Sequence, residues 1–321
     1  VTGLFTWSGN GAQGLNTFTG GTTIASGGMS ISGTHGRSLN NRTLTLNGAS
    51  NWTGGHVYLH HGGILNNNDV FDLQTDADMT YYTGTDSTLN NNGTISKSFG
   101  AAATEMGFNL YNNSTITVSS GELWLGRKVS TGTSTGDFTT NAGAFLGMSG
   151  SHTLPAGSSL SGAGGFIFHD GGTTVIESSY AVTGTLRVDN GTLRFANAVD
   201  IMDDTTVNNG TLDFTKASSV DGDVHLGNGT LIAQAALPIT GQLNQVHGNL
   251  TGGGTVTVPG LFTWSGNGNH GTNDLTGGTT LASGGMVLSG THGRNLNNRI
   301  LTLNGASTWT GGHVYLLHGS T

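Results

Sequence analysis

The chain has 321 residues with 57 Gly, 3 Pro and no Cys, 9% charged residues and a formal charge of −8. A net negative chain with ten Lys and Arg offers no cationic footprint for nucleic acid; it contains no apolar run of helical length to span a bilayer and no thiol for a disulfide framework. So much Gly without a Gly-X-Y period would suggest disorder, but the aliphatic residues recur at fixed intervals, which points to an ordered all-β chain.

Taken in order, strand-like runs occur at residues 5–7, 43–46, 56–59, 70–73, 114–118 and 122–125. In each, apolar and polar residues alternate, the two-residue rhythm of a strand with one buried face. Asn-rich corners punctuate them at Asn40-Asn41, Asn66-Asn67-Asn68, Asn90-Asn91-Asn92 and Asn112-Asn113. Spaced about one coil apart, these amides are expected to stack as a ladder. Residues 126–136, with Arg127 and Lys128, break the rhythm and read as a protruding loop. Residues 101–106 read as the one helical turn.

From residue 182 the repeat tightens to 19 residues. Asn190-Gly191-Thr192-Leu193 returns at Asn209-Gly210-Thr211-Leu212 and Asn228-Gly229-Thr230-Leu231, with a degenerate copy ending in Leu250. Three columns follow: Val182, Ile201, Val220 and Ile239; Leu193, Leu212, Leu231 and Leu250; Val188, Val207 and Leu226. Nineteen residues are too few for a helix pair. The reading is a single-stranded parallel β-solenoid with coils of about 19–28 residues, stacked about 4.8 Å apart and right-handed by the usual preference of parallel crossovers.

A longer period overlies the short one. Residues 1–64 recur as 258–321 with 49 of the 64 positions identical. Gly3-Leu4-Phe5-Thr6-Trp7-Ser8-Gly9-Asn10-Gly11 returns from Gly260 to Gly268, and Trp52-Thr53-Gly54-Gly55-His56-Val57-Tyr58-Leu59 from Trp309 to Leu316. Residues 1–257 thus read as one tandem unit and 258–321 as the start of the next, as expected of part of a longer array. With no cap visible in the pattern, unit is expected to stack on unit, since an uncovered solenoid edge invites aggregation.

The Leu4-Phe5-Thr6-Trp7-Ser8-Gly9 phrase and the Asn-Gly-Thr-Leu-x-Phe phrases at 190 and 209 resemble autotransporter-associated β-strand repeats, found in giant bacterial surface proteins that include filamentous-haemagglutinin-like adhesins. That resemblance implies a right-handed β-helix, placement outside the cell or on its surface, and work in adhesion, filaments or biofilm. It carries no catalytic residues, and no enzyme activity is expected. The chain shows no translocator or secretion domain of that family.

A few side chains invite chemistry. The 19-residue frame sets Asp204 over Asp223 and Asp170 over Asp189, the only indication of a cofactor: paired carboxylates suit a Ca²⁺ site or a retaining glycosidase pair, or simply splay into solvent at corners. No apolar pocket for a glycosidase acid is evident, so a polysaccharide lyase or hydrolase is the weakest reading. Trp7, Trp52, Trp264 and Trp309 suit either coil packing or stacking on surface glycans. His56 and His60 stand too far apart along a strand to share a metal, and His35 and His292 fit a corner. Arg194 over Asp213 is an expected surface ion pair. The Asn-Gly-Thr triplets double as glycosylation sequons, but they are equally turn-then-strand signals. The expected function is a structural segment of an extracellular fibre or surface filament whose partners are its own adjacent units, with a glycan-binding adhesin as the alternative.

Overall fold

The strand Thr115–Val118 shows how this composition folds. Ile116 and Val118 turn inward and are fully buried, while Thr115 and Thr117 face out, as the pleat requires. Threonine and the β-branched aliphatics suit such a half-buried surface. The computed structural model describes residues 1–9, 16–127, 130–266 and 273–321. Lys128 and the Asn10-Gly11 and Asn267-Gly268 ends of the repeated phrase lie outside the described residues.

Among the described residues there is no helix, and every strand pairing is parallel. The chain divides into two units, Val1–Phe166 and Ile167–Thr321. Each is a β-solenoid whose coils carry three short strands. In the first unit Phe5–Gly9, Asn16–Thr19 and Thr22–Ala25 form one coil, covered by Met29–Gly33, Arg37–Asn40 and Thr43–Leu46. Successive inward positions stack into a column, Phe71 on Ile95, Ile116, Phe138 and Leu160. The second unit stacks Leu193 on Leu212, Leu231 and Leu250, Val188 on Val207 and Leu226, and Ile201 on Val220 and Ile239. These residues and Val182 are all buried, each contributing roughly 1.5–3 kcal/mol for a large aliphatic side chain. Phe195 and Phe214 stack with centroids 5.5 Å apart.

Corners hold the coils in register. Gly28 has φ +85°, and a Cβ there would collide with the carbonyl of Ala49; its copy Gly285, at φ +92°, lies equally close to the carbonyl of Ala306. Only glycine fits both demands. The asparagine corners form three ladders. Inside the first unit, Asn67 Nδ2 donates to Asn91 Oδ1 (2.8 Å) and Asn91 Nδ2 to Asn112 Oδ1 (2.7 Å). Outside, Asn92 donates to Asn68 and Asn68 to Asn47, while Asn90 donates to Asn66.

Two expectations are corrected. The segment read as a helical turn is the strand Ala103–Met106: Thr104 and Met106 alternate inward, and the strand pairs with Glu122–Leu125. Part of the supposed loop is also strand, Thr131–Thr133 pairing with Ser151–Leu154. Gly132 allows this, because any side chain there would strike the Leu110 carbonyl beneath it.

Candidate functional surfaces

Stacked aspartates are the first candidates. Asp204 and Asp223 are in register, since Thr205 pairs with Val224. Their carboxylates cap corners: Asp204 Oδ1 accepts the Asp223 amide at 2.8 Å, and Asp223 Oδ1 accepts the Gln242 amide at 2.7 Å. Such charge-assisted bonds tie each coil to the next. The other pair is displaced. The Asp189 amide donates to the Phe168 carbonyl, which in a parallel ladder sets Asp189 beside His169 rather than Asp170. Asp170 instead takes the corner at φ 59°, with its Oδ2 2.8 Å from His169 Nδ1. Asp189 is engaged by Arg187 at 2.5 Å and by Asn208 at 3.3 Å. Among the described residues, no group of three or more His, Cys, Asp or Glu converges on one point.

Two open grooves flank the outward column that carries His225. One, of about 780 Å³, is lined by Arg187, Asp189, Asn208, His225 and His247. The other, of about 370 Å³, is lined by Asp204, Asp223, His225, Gln242 and Asn244. Beside Val224 and Val246, their walls carry amides, carboxylates, imidazoles and a guanidinium, groups that hydrogen-bond to hydroxyl-rich ligands.

Of the four repeated tryptophans, Trp7, Trp52 and Trp264 are buried and serve packing; Trp309 is 62% exposed. Trp7 stacks on Phe18 with centroids 4.2 Å apart, and Trp264 Nε1 donates to the buried Asn273 side chain at 2.8 Å. A further aromatic cluster surrounds the exposed Tyr82: half-buried His60 packs on it at 4.8 Å, and half-buried Tyr58 meets it edge-on. Burial first, and then the neighbouring His61, lower the His60 pKa. His56 pairs with Asp78 at 3.6 Å. Arg127 lies 3.7 Å over the Tyr81 ring and pairs with Asp86. Arg194 meets Asp213 at 3.1 Å, as the 19-residue frame requires.

Sequence reasoning missed the buried cations. Arg37, of the repeated Gly-Thr-His-Gly-Arg phrase, is fully buried and donates to the carbonyls of Trp7 (3.1 Å), His35 (2.9 Å), Gly54 (3.2 Å) and Ser32. Its copy Arg294 is likewise buried and donates to the carbonyls of Ser289 and Gly311. Arg299 gathers the carbonyls of Thr276, Thr279 and Gly277, and burial draws its pKa down to about 10. Lys97 is buried beneath Asp76, Thr75, Phe99 and Thr104. The available signal was recurrence: in a chain with ten cations, Arg37 and Arg42 return unchanged as Arg294 and Arg299. Comparisons with known protein families, with curated proteins and with solved structures gave no match.

Proposed function

We propose that this chain is a structural segment of a tandem-repeat fibre or surface filament outside the cell, and that it is not an enzyme. The observation that carries the reading is the core. Leu193, Leu212, Leu231 and Leu250 form a buried column under continuous parallel ladders. The stacked carboxylates of Asp204 and Asp223 each accept an amide of the following coil and so tie coil to coil. A solenoid built this way gains stability from each neighbouring repeat, and near-identity at an offset of 257 residues extends the same logic from coil to unit. Partners are then adjacent units of the same kind. Negative-stain microscopy of the native material tests this: filaments are expected, and short monodisperse particles would overturn it.

A second reading, glycan binding by the same surface, is favoured by the polar grooves around His225. The tryptophans contribute little to it, since three of the four are enclosed. A glycan array probed with the chain and with His225→Ala and Arg187→Ala variants separates the two. Binding lost in the variants would support an adhesin role, and an array without hits would remove it. Ca²⁺ at Asp204 and Asp223 is testable by calorimetric titration of the metal alone against the chain and its Asp204→Asn variant.

A further inference from the structure

We propose that the cleft between residues 178–183 and 198–202 binds a small amphipathic organic cation, an amine carried on an aromatic or aliphatic body. This site stands whether or not the chain builds fibres, and it shares no lining residue with the grooves around His225.

The cleft opens where one ladder is interrupted. Within the second unit, Thr173–Ile176 pairs with Gly191–Phe195, and Leu186–Val188 pairs with Thr205–Val207. On the face between them, Ser179–Val182 and Asp200–Ile201 belong to separate sheets. The last bond before the gap runs from the Ala196 amide to the Ile176 carbonyl (2.9 Å), and the Asn197 side chain then reaches the Glu177 carbonyl (2.8 Å). Beyond that point the backbone bonds to the following coil. The Val199 amide donates to Ser218 Oγ (3.2 Å), and the Val199 and Ile201 carbonyls accept from the Ser219 and Asp221 amides (3.0 and 2.7 Å). In the 19-residue frame the large Tyr180 ring is followed by the smaller Val199, which leaves room between the coils. The result is an open cleft of about 540 Å³, within the range of about 300–1,000 Å³ usual for small-molecule sites.

The lining selects the occupant. Tyr180, Ala181, Ala198, Val199 and Met202 form an apolar wall, with the exposed Asp200 at its rim. The Tyr180 ring packs edge-on against Phe195 at 5.3 Å, and Phe195 lies on Phe214, so the core backs this wall. Burial first, and then the Asp203 charge, raise the Tyr180 pKa, so the phenol stays neutral at physiological pH. Met202, 51% exposed, is an adaptable lip. The charge nearby has one sign. Asp189 and Asp213 are matched by Arg187 and Arg194. Asp200 and Asp203 instead accept neutral donors, the Ser219 hydroxyl at 2.7 Å and the Asp204 amide at 2.8 Å. Among the described residues no Lys, Arg or His lines the cleft. An anion would be repelled here, and a sugar would leave the apolar wall unused. A cation on an apolar body satisfies both, with the Tyr180 ring as a further attractive face.

Calorimetric titration with phenethylamine tests this, with phenylethanol and 3-phenylpropionate as its neutral and anionic counterparts. Phenethylamine is expected to bind about fivefold more tightly than phenylethanol, and less tightly as salt rises; 3-phenylpropionate should bind least. Asp200→Asn should erase the preference for the amine while phenylethanol binding persists. Ala198→Phe, which fills the cleft from an exposed position, should abolish binding of all three, with an unchanged thermal midpoint as the folding control for both variants. No binding of phenethylamine by the parent chain would overturn the proposal. So would equal affinity for the three probes, or undiminished binding in Ala198→Phe. Displacement of phenethylamine by Ca²⁺ alone would assign the acidic rim to a divalent ion instead.

Discussion

A buried guanidinium without a buried carboxylate must be neutralised by dipoles, and Arg37 shows how. Its donors reach carbonyls on separate stretches of chain around Trp7, Ser32, His35 and Gly54, so one side chain fixes strand, corner and adjoining coil together. Burial lowers its pKa from the ordinary arginine value, yet a guanidinium remains charged at any physiological pH. Lysine cannot reproduce this fork, so Arg37→Lys is expected to cost about 1–3 kcal/mol through carbonyls left unpaired. A change in urea midpoint corresponding to less than about 0.5 kcal/mol, the range of a neutral surface substitution, would show that the hub is dispensable. Asp76 makes a pH-dependent contribution. Burial alone would raise its pKa, but the Lys97 hydrogen bond, the Ala102 amide, the Lys97 charge and the Ala101 amide together hold it below the usual carboxylate value. A depressed native pKa gives stability that is present above the unfolded-state value near 4 and lost as pH falls through the native one. Asp76→Asn should therefore remove part of the acid-induced loss of stability below about pH 4 and leave its slope near neutrality unchanged. An identical acid profile in the variant would mean that Asp76 is unlinked to folding.

Between coils, the same residue type has different worth depending on which side of the strand it faces. Asn91 is fully buried, takes a bond from Asn67 and gives bonds to Asn112 and the Thr115 carbonyl; Asn92, one residue on, stands outside in its own ladder. Asn91→Ala removes one bond each from the buried side chains of Asn67 and Asn112, which keep those to the Thr94 carbonyl and the Ser114 amide, and is expected to cost about 1–3 kcal/mol, against about 0.5 kcal/mol or less for Asn92→Ala. Equal midpoints for the two variants would refute the distinction. The ladders and the 19-residue columns were legible in the sequence because a constant offset places like residues over like. Where the offset changes, the reading slipped. Val188 stacks on Phe168 at an offset of 20 before the frame settles to 19 at Thr173 and Thr192, because the corner Asp170-Gly171-Gly172, all at positive φ, holds one residue more than Asn190-Gly191. That extra corner residue takes Asp170 out of register with Asp189. Residues 101–106 were misread for a related reason. Their Ala-rich start favours a helix locally, but Thr104 and Met106 follow a two-residue alternation that the neighbouring strand enforces. Arg37 was illegible as a hub because its partners are carbonyls, which no residue code announces.

At the scale of the molecule, stability should be a sum of local terms, because each coil within a unit touches chiefly the coils before and after it. Leu212 is the place to test this, lying between Leu193 and Leu231 in the second unit and fully buried. Leu212→Ala removes its methyl groups from a packed column and should cost about 2–5 kcal/mol. In a globular domain with one cooperative core, such a loss lowers amide protection throughout. Here hydrogen exchange should quicken in the coils that carry Leu193, Leu231 and their neighbours, while strands of the first unit such as Val70–Leu73 and Thr115–Val118 keep their protection. Uniform acceleration across both units would show a single cooperative core and remove the nearest-neighbour account. Locality is also what a fibre needs from its segments: a fault in one coil then costs that coil and its neighbours rather than the whole chain, so length can grow by repetition without any new core.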